Sequence, residues 1–159
     1  MKEVFVNMER CLGCKSCELA CAVEHSRSKS LFVALSEIPL PKKRVFVEYG
    51  DGKKVPLQCR HCREAPCVDA CMSGALKWDS QTNLVTHDRE KCVGCWMCIM
   101  VCPFGVIGRE KDSKVALKCD RCYGRDEPAC VEACPTGALL YATLEEAEKV
   151  KREHLVKVL

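Results

Sequence analysis

Short runs of apolar and β-branched residues, separated by glycine- and aspartate-containing turns, recur along this chain of 159 residues. Such runs predict short β-strands, and two runs joined by a short turn predict a β-hairpin. The turn Gly50-Asp51-Gly52 is an especially clear hairpin signal. The predicted strand pairs are 45–49 with 54–57, 75–79 with 84–88, and 106–110 with 114–118 around 111–113, and residues 2–7 predict one further strand.

The C-terminal segment has a different period and predicts a helix. Thr143 and Glu146 have the spacing of a capping box, in which each side chain bonds the backbone N–H of the other residue. Residues 22–44 are the least regular part, for which we expect either a surface loop or a loop that docks a partner. These elements predict an α+β fold of short hairpins and short helices. The C-terminal helix has a partial apolar stripe of Leu144, Ala147, Val150, Leu155 and Val158.

Cysteine is the outlier in the composition, with 16 cysteines in 159 residues. Aromatic residues are only 6% of the chain, and charged residues are 30%. Few large side chains are available for a hydrophobic core, and bound metal can stabilise such a small fold instead. We therefore expect the metal-free chain not to fold. The sequence shows no signal-peptide pattern, and no segment approaches the roughly 20 apolar residues of a membrane span. We expect a cytoplasmic protein whose cysteines bind metal rather than form disulfides.

The cysteines fall into four runs of four, and their spacing indicates iron–sulfur clusters. The first and third runs have the C-x2-C-x2-C-x3-C spacing of bacterial ferredoxins, in which the fourth cysteine ligates a neighbouring cluster. Each run is complete, which predicts four [4Fe–4S] clusters with every position ligated. The runs are Cys11, Cys14, Cys17 and Cys21; Cys59, Cys62, Cys67 and Cys71; Cys92, Cys95, Cys98 and Cys102; and Cys119, Cys122, Cys130 and Cys134.

Zinc is the main alternative metal, since cysteine thiolates also bind zinc in structural sites. Zinc sites usually have two separated cysteine pairs, whereas the first and third runs crowd three cysteines into a short loop. A zinc-binding scaffold or a redox-sensing binding module is kept as a second class, which iron and sulfide analysis would separate from the first. No nucleotide-binding fingerprint is present, and no complete catalytic constellation stands apart from the cysteines. We expect electron transfer without catalysis.

The charge balance changes once the cysteines are counted as thiolates. The formal charge is +3 with neutral cysteines. Four oxidised clusters would add about −2 each, which brings the total to about −5. Lysine and arginine are then expected to compensate the clusters rather than to bind nucleic acid. Arg60, His61 and Arg63 are expected to have this role, Trp96 to shield a cluster from water, and His25 to end a helix or donate to a cluster sulfur.

Four such runs in one short chain resemble the four-cluster iron–sulfur subunits of the dimethyl sulfoxide reductase electron-transfer family. In that family the first run pairs with the fourth and the second with the third, although spacing alone also permits sequential pairing. The resemblance implies two ferredoxin-like halves, one of residues 1–58 plus 111–159 and one of residues 59–110. The implied ligand sets are Cys11, Cys14, Cys17 with Cys134; Cys119, Cys122, Cys130 with Cys21; Cys59, Cys62, Cys67 with Cys102; and Cys92, Cys95, Cys98 with Cys71.

Within that family, residues 11–26 (CLGCKSCELACAVEHS), 28–31 and 39–45 are most similar to the small iron–sulfur subunit associated with carbon monoxide dehydrogenase. The resemblance implies an anaerobic protein that passes electrons from carbon monoxide dehydrogenase to a hydrogenase or a flavin- or NAD-dependent oxidoreductase. A hydrogenase, a formate dehydrogenase and a tungsten aldehyde oxidoreductase remain alternative partners. Any membrane contact is expected to come through a partner. Met72 departs from the family pattern, since many relatives have proline after the second run.

Overall fold

The structure is a computed structural model that describes residues 1–109 and 113–158. In this part of the chain, eight short strands form four separate two-stranded antiparallel sheets, and six α-helices connect or flank them. The strands are β1 (Glu3–Val6), β2 (Val45–Gly50), β3 (Lys53–Gln58), β4 (Leu76–Asp79), β5 (Leu84–His87), β6 (Gly108–Arg109), β7 (Ala116–Leu117) and β8 (Leu139–Ala142). The helices are α1 (Ser16–Glu24), α2 (Leu31–Ala34), α3 (Pro66–Asp69), α4 (Met97–Val101), α5 (Ala129–Glu132) and α6 (Leu144–Val158).

Two of the predicted hairpins are confirmed within one residue at each end. Strand β2 pairs with β3, and β4 pairs with β5, each in antiparallel register. The β2–β3 turn narrows to Asp51 and Gly52, which both have left-handed φ angles of 47° and 73°. The third hairpin is shorter than predicted, since β6 and β7 pair over two residues only. Residues 111 and 112 of its predicted turn lie outside the described residues.

The predicted strand near the N-terminus pairs with the last strand of the chain. Strand β1 runs antiparallel to β8, with Glu3 opposite Ala142 and Val6 opposite Leu139. The N–H of Asn7 extends this ladder by donating to the carbonyl of Ala138 at 2.8 Å. The pairing therefore places the first cysteine run, which follows β1, next to the fourth run, which precedes β8.

The C-terminal helix α6 begins with the predicted capping box. The Thr143 N–H donates to Glu146 Oε2 at 2.8 Å, and the Glu146 N–H donates to Thr143 Oγ1 at 3.3 Å. The helix packs on β8, and Lys151 of the helix forms an ion pair with Glu9 near the N-terminus at 3.0 Å. None of the helices in the described ranges is both long and apolar enough to cross a membrane.

Two small buried clusters form the core, and cysteines are part of both. The first contains Val45, Val47, Val131 and Leu139 together with cysteines of the first and fourth runs. The second is built from Ala65, Leu76, Val85, Ile107 and Ala116 together with cysteines of the second and third runs. Short helices, small hairpins and a helix at the C-terminus confirm the α+β prediction.

Candidate iron–sulfur sites

Every cysteine run folds as a loop followed by a short helix. The third cysteine lies on the helix and the fourth follows four residues later, which is about one helical turn. In α1, this arrangement places Cys17 and Cys21 on one helix, and both residues are buried. In the other three runs the third cysteine also lies on the helix and is buried, but the fourth follows just beyond the helix end and is half-buried; these third cysteines are Cys67, Cys98 and Cys130.

Two glycines allow the first and third loops to turn tightly against neighbouring elements. Gly13 has φ of 71°, and a Cβ there would lie 2.7 Å from Tyr49 Oη. Gly94 has φ of 67°, and a Cβ there would lie 2.5 Å from the carbonyl oxygen of Lys114. Both positions therefore combine a left-handed backbone with no room for a side chain, which explains why glycine occupies them.

Backbone N–H groups point at cysteine sulfurs in several places. The His61 N–H donates to Cys59 Sγ at 3.4 Å, and the Arg121 N–H donates to Cys119 Sγ at 3.3 Å. Both donors have left-handed φ angles, 49° and 57°, which turn the two loops in the same way. Such bonds favour the charged form of a thiol and orient it as a metal ligand.

The fourth cysteine of the last run lies beside the first run. Cys11, Cys14, Cys17 and Cys134 line one small cavity, bounded by Val47. Burial raises the pKa of the Cys17 thiol to about 11, and the negative charges of Cys134 and Cys14 contribute to the rise. The structure thus brings these four thiols together from two runs that are more than a hundred residues apart.

The fourth cysteine of the first run lies, conversely, beside the last run. Helix α1 packs against α5, and Cys21 faces a cavity with Cys119, Cys122 and Cys130. Burial raises the pKa of the Cys130 thiol, and the negative charges of Cys119, Cys21 and Cys122 add to the effect. These four thiols form a second group.

The second and third runs exchange their fourth cysteines in the same way, because α3 packs against α4. Burial raises the pKa of the Cys67 thiol to about 11, and the negative charges of Cys59 and Cys102 add to the rise. Cys59 and Cys102 also raise the pKa of the Cys62 thiol, after burial as the larger cause.

The last group surrounds Cys98 at the start of α4. Burial raises the pKa of its thiol, and the negative charges of Cys92, Cys95 and Cys71 contribute to the rise. The sixteen thiols thus lie in four groups of four, with one member of each group supplied by another run.

The two groups in the middle of the molecule also lie close to each other. Burial raises the pKa of the Cys119 thiol to about 12, and the strongest contribution from another cysteine comes from Cys59 of the second run. Cys59 and Cys119 also line one cavity with Cys21 and Cys130. Among the sixteen cysteines, all of which are described, only Cys14 and Cys95 are exposed, and they belong to the other two groups.

The residues present fit iron–sulfur clusters in donor chemistry. All sixteen cysteines are free thiols, so each group offers four sulfur ligands. A further sign lies between Cys59 and Cys62, where Nε2 of His61 is buried and has no hydrogen-bond partner in the described residues. A buried N–H without a partner is costly, and the sulfur-rich surface of a cluster would accept its bond.

His25 ends α1, which confirms the first of the two alternative roles expected for it, and donation to a cluster sulfur stays a prediction. Its Nδ1 donates to the Cys21 carbonyl at 2.7 Å and lies 3.7 Å from Cys21 Sγ. Its Nε2 donates to Asp120 Oδ1 at 3.1 Å, and Arg44 pairs with the same carboxylate. Burial lowers the pKa of His25, but the bonds to Asp120 and Cys21 outweigh it and raise the value to about 9. Asp120 lies inside the fourth run, and no sequence pattern indicates its role beside His25.

The residues expected to compensate cluster charge divide into two groups. Arg60 and Arg63 are exposed, and Arg60 donates to the Val4 carbonyl at 3.1 Å. His61 is buried, and burial together with the charges of Lys118 and Arg121 lowers its pKa to about 2. The prediction of a compensating charge is therefore wrong for His61, because its ring is neutral. Trp96 is half-buried with the Arg109 guanidinium 5.7 Å from its ring centre, and its shielding role stays a prediction.

Comparison with known families decides the metal. Residues 51–144 match the model of a 4Fe–4S dicluster domain, and residues 8–24 match a 4Fe–4S binding domain. The chain belongs to the 4Fe–4S dicluster domain family. A relative described as an iron–sulfur protein, from Rhodospirillum rubrum, is 40% identical over 94% of this chain and 86% of its own length.

Other family members carry names that describe electron transfer. The electron transport protein HydN of Escherichia coli (strain K12) is 31% identical over 94% of this chain and 93% of its own length. The thiosulfate reductase electron transfer subunit PhsB of Salmonella typhi is 34% identical over 88% of this chain and 74% of its own length. The similarity to both extends across most of each protein.

Proposed function

We propose that this chain is a non-catalytic electron-transfer subunit that holds four [4Fe–4S] clusters. The gathering of sixteen thiols into four groups of four is the observation that carries the proposal. Membership of the 4Fe–4S dicluster family and the names of its relatives support iron–sulfur electron transfer over a zinc scaffold. The proposed ligand sets are Cys11, Cys14, Cys17, Cys134 (set 1); Cys119, Cys122, Cys130, Cys21 (set 2); Cys59, Cys62, Cys67, Cys102 (set 3); and Cys92, Cys95, Cys98, Cys71 (set 4).

Clusters bound in these sets would supply reversible one-electron transfer. The chain itself supplies four thiolates per set, so no coordination position is left for a substrate. Backbone N–H groups from residues such as His61 and Arg121 hold the sulfurs in place. The buried apolar side chains around Cys17 and Cys67 exclude water from the sites. Together these features suit a conductor of electrons rather than a catalyst.

The closeness of Cys59 and Cys119 supports a linear order in which sets 2 and 3 lie in the middle. Sets 1 and 4 then lie at the ends, and their Cys14 and Cys95 are exposed. Exposed apolar side chains adjoin both ends, with Leu12 near the first and Met100 near the second. We propose that electrons enter at one of these ends and leave at the other.

The two-half organisation is also proposed, with one refinement. Sets 1 and 2 belong to one half and sets 3 and 4 to the other, which the two separate buried clusters support. The proposed halves are residues 1–58 plus 111–159 and residues 59–110. The β6–β7 hairpin crosses that boundary, and Ala116 of β7 packs in the second cluster. The second half is therefore better extended to the end of β7.

Reductive titration tests the function directly. The protein is purified without oxygen and titrated with dithionite while the visible iron–sulfur absorbance is recorded. Four clusters that each accept one electron predict uptake of about four electrons per chain. A zinc scaffold would take up none, and that result would overturn the proposal.

As partner we propose carbon monoxide dehydrogenase, with a hydrogenase or a flavin- or NAD-dependent oxidoreductase as acceptor. The support is the resemblance of residues 11–26, 28–31 and 39–45, since the names of the relatives above do not specify this enzyme. The test is affinity purification of the tagged protein from its native cells, followed by assays of viologen reduction. Reduction driven by carbon monoxide supports the proposal. Reduction driven only by hydrogen, formate or an aldehyde would replace carbon monoxide dehydrogenase with the corresponding alternative enzyme.

A further inference from the structure

Lys118 is a buried lysine at the boundary between the two middle ligand sets. It follows β7, precedes Cys119 and is only 5% exposed. Its Nζ donates to the carbonyl oxygens of Val85 and Cys119, both at 2.8 Å. The same Nζ lies 3.3 Å from Nδ1 of His61, between Cys59 and Cys62 in the loop of the second run. One ammonium group therefore bridges the segments that carry set 2 and set 3.

The neighbouring histidine does not share the positive charge. The N–H of Val85 donates to Nδ1 of His61 at 3.0 Å, so this nitrogen is an acceptor. The ring is then neutral, with its proton on Nε2. At this point in the core, the positive charge belongs to Lys118.

A buried cation normally needs an anionic partner, because an unpaired charge in the protein interior is costly. Within the described ranges, no carboxylate forms an ion pair with Lys118. The nearest acidic residue along the chain, Asp120, pairs with His25 and Arg44 instead. Both middle sets have a ligand segment in contact with this ammonium group. Nζ of Lys118 donates to the carbonyl oxygen of Cys119, a set 2 ligand, and lies beside the ring of His61, which stands between the set 3 ligands Cys59 and Cys62 in the chain.

We infer that Lys118 acts as a fixed positive charge that raises the reduction potentials of the clusters in sets 2 and 3. The inference rests on the proposed function, because it requires clusters in these sets. Each reduction adds one electron, and therefore one negative charge, to the group that the thiols hold. A buried cation nearby stabilises the reduced form more than the oxidised form. Burial lowers the reduction potentials of the two middle clusters, because it disfavours the added negative charge, and Lys118 counteracts this lowering.

The test compares reduction midpoints in the full cluster-loaded protein. Lys118→Met removes the charge but keeps a similar volume, and the four midpoints are measured by dithionite titration followed by electron paramagnetic resonance. We expect two of them to fall by at least about 59 mV, a tenfold change in a one-electron equilibrium, and the other two to stay unchanged. Lys118→Arg keeps the charge and should keep all four midpoints. Lys77→Met removes a charge from an exposed position on β4 and should also leave them unchanged.

The outcomes separate this inference from the proposed function. Four unchanged midpoints in fully loaded Lys118→Met would overturn the role of Lys118 and leave electron transfer intact. A wild-type protein without clusters would overturn the proposed function itself. If Lys118→Met does not load iron, Lys118→Gln is measured instead, since its amide can still donate to the two carbonyls. If neither neutral variant loads iron but Lys118→Arg does, Lys118 is structural and the inference is wrong.

Discussion

The fourth cysteine of the first run gives the sharpest test of the ligand sets. Cys21 is four residues from Cys17 on α1, yet it lies with Cys119, Cys122 and Cys130 of the last run. Replacing Cys21 with alanine should therefore damage set 2 and leave set 1 complete. If Cys21 instead bound the same cluster as the other cysteines of its own run, its replacement would damage the cluster of the first run.

The size of the effect follows from the thiol count. Each set holds four of the 16 cysteines, so loss of one cluster removes about four irons from about 16, and conversion to a three-iron cluster removes about one. Iron content and electron paramagnetic resonance of the reduced protein are compared for three variants. Cys21→Ala and Cys119→Ala should lose the same signal, whereas Cys11→Ala should lose a different one.

Cys134→Ala is the reciprocal control and should match Cys11→Ala rather than Cys119→Ala. If Cys21→Ala and Cys11→Ala lose the same signal, each run holds its own cluster. The exchange of fourth cysteines between runs would then be refuted, even though the iron content could still be complete in the wild type.

Three further predictions concern the frame around the sites. Gly94→Ala should lower the thermal midpoint and iron retention well below those of Gly105→Ala. Both glycines have positive φ, but only at Gly94 would the added Cβ clash with a neighbour, the Lys114 carbonyl. Equal losses in the two variants would refute the steric explanation. Thr143→Ala removes half of the capping box at a cost of about 1 kcal/mol, so hydrogen exchange should speed up about fivefold in α6 alone. Phe32→Ser changes a side chain that is 82% exposed on α2, within the segment 22–44 for which the sequence predicts a surface loop or a docking loop. The change should weaken co-purification of the partner enzyme with iron content unchanged; undiminished co-purification would contradict a docking role for this segment.

Local patterns in the sequence were sufficient for most of the secondary structure. The β2–β3 hairpin follows from a glycine-flanked turn between two β-branched runs, and both signals lie within about 15 residues of each other. The capping box of α6 likewise depends on Thr143 and Glu146 only. The positions of the cysteines are also a local signal, because their spacing is set by one loop and one helical turn.

The contacts that connect distant segments could not be predicted in this way. The pairing of β1 with β8 depends on backbone bonds between residues at opposite ends of the chain, which carry no side-chain signature. The bond between His25 and Asp120 joins residues 95 positions apart, and the contact between Lys118 and His61 spans 57. Lys118 and His61 look like ordinary surface residues in the sequence, and contacts between distant segments bury them.

The same limit explains the error at His61. A histidine between two cysteines and two arginines suggests a positive charge, but the charge depends on burial and on the bond from the Val85 N–H. Neither feature is encoded near His61 in the sequence. The pairing of the cysteine runs has the same character, because spacing permits two arrangements. The packing of α1 on α5 and of α3 on α4 favours one of them.

The most direct test of the central claim is the iron, sulfide and zinc content of the protein purified anaerobically from its native cells. Four fully ligated [4Fe–4S] clusters predict about 16 irons and about 16 acid-labile sulfides per chain, with no stoichiometric zinc. About four zinc ions and no sulfide per chain would contradict the account.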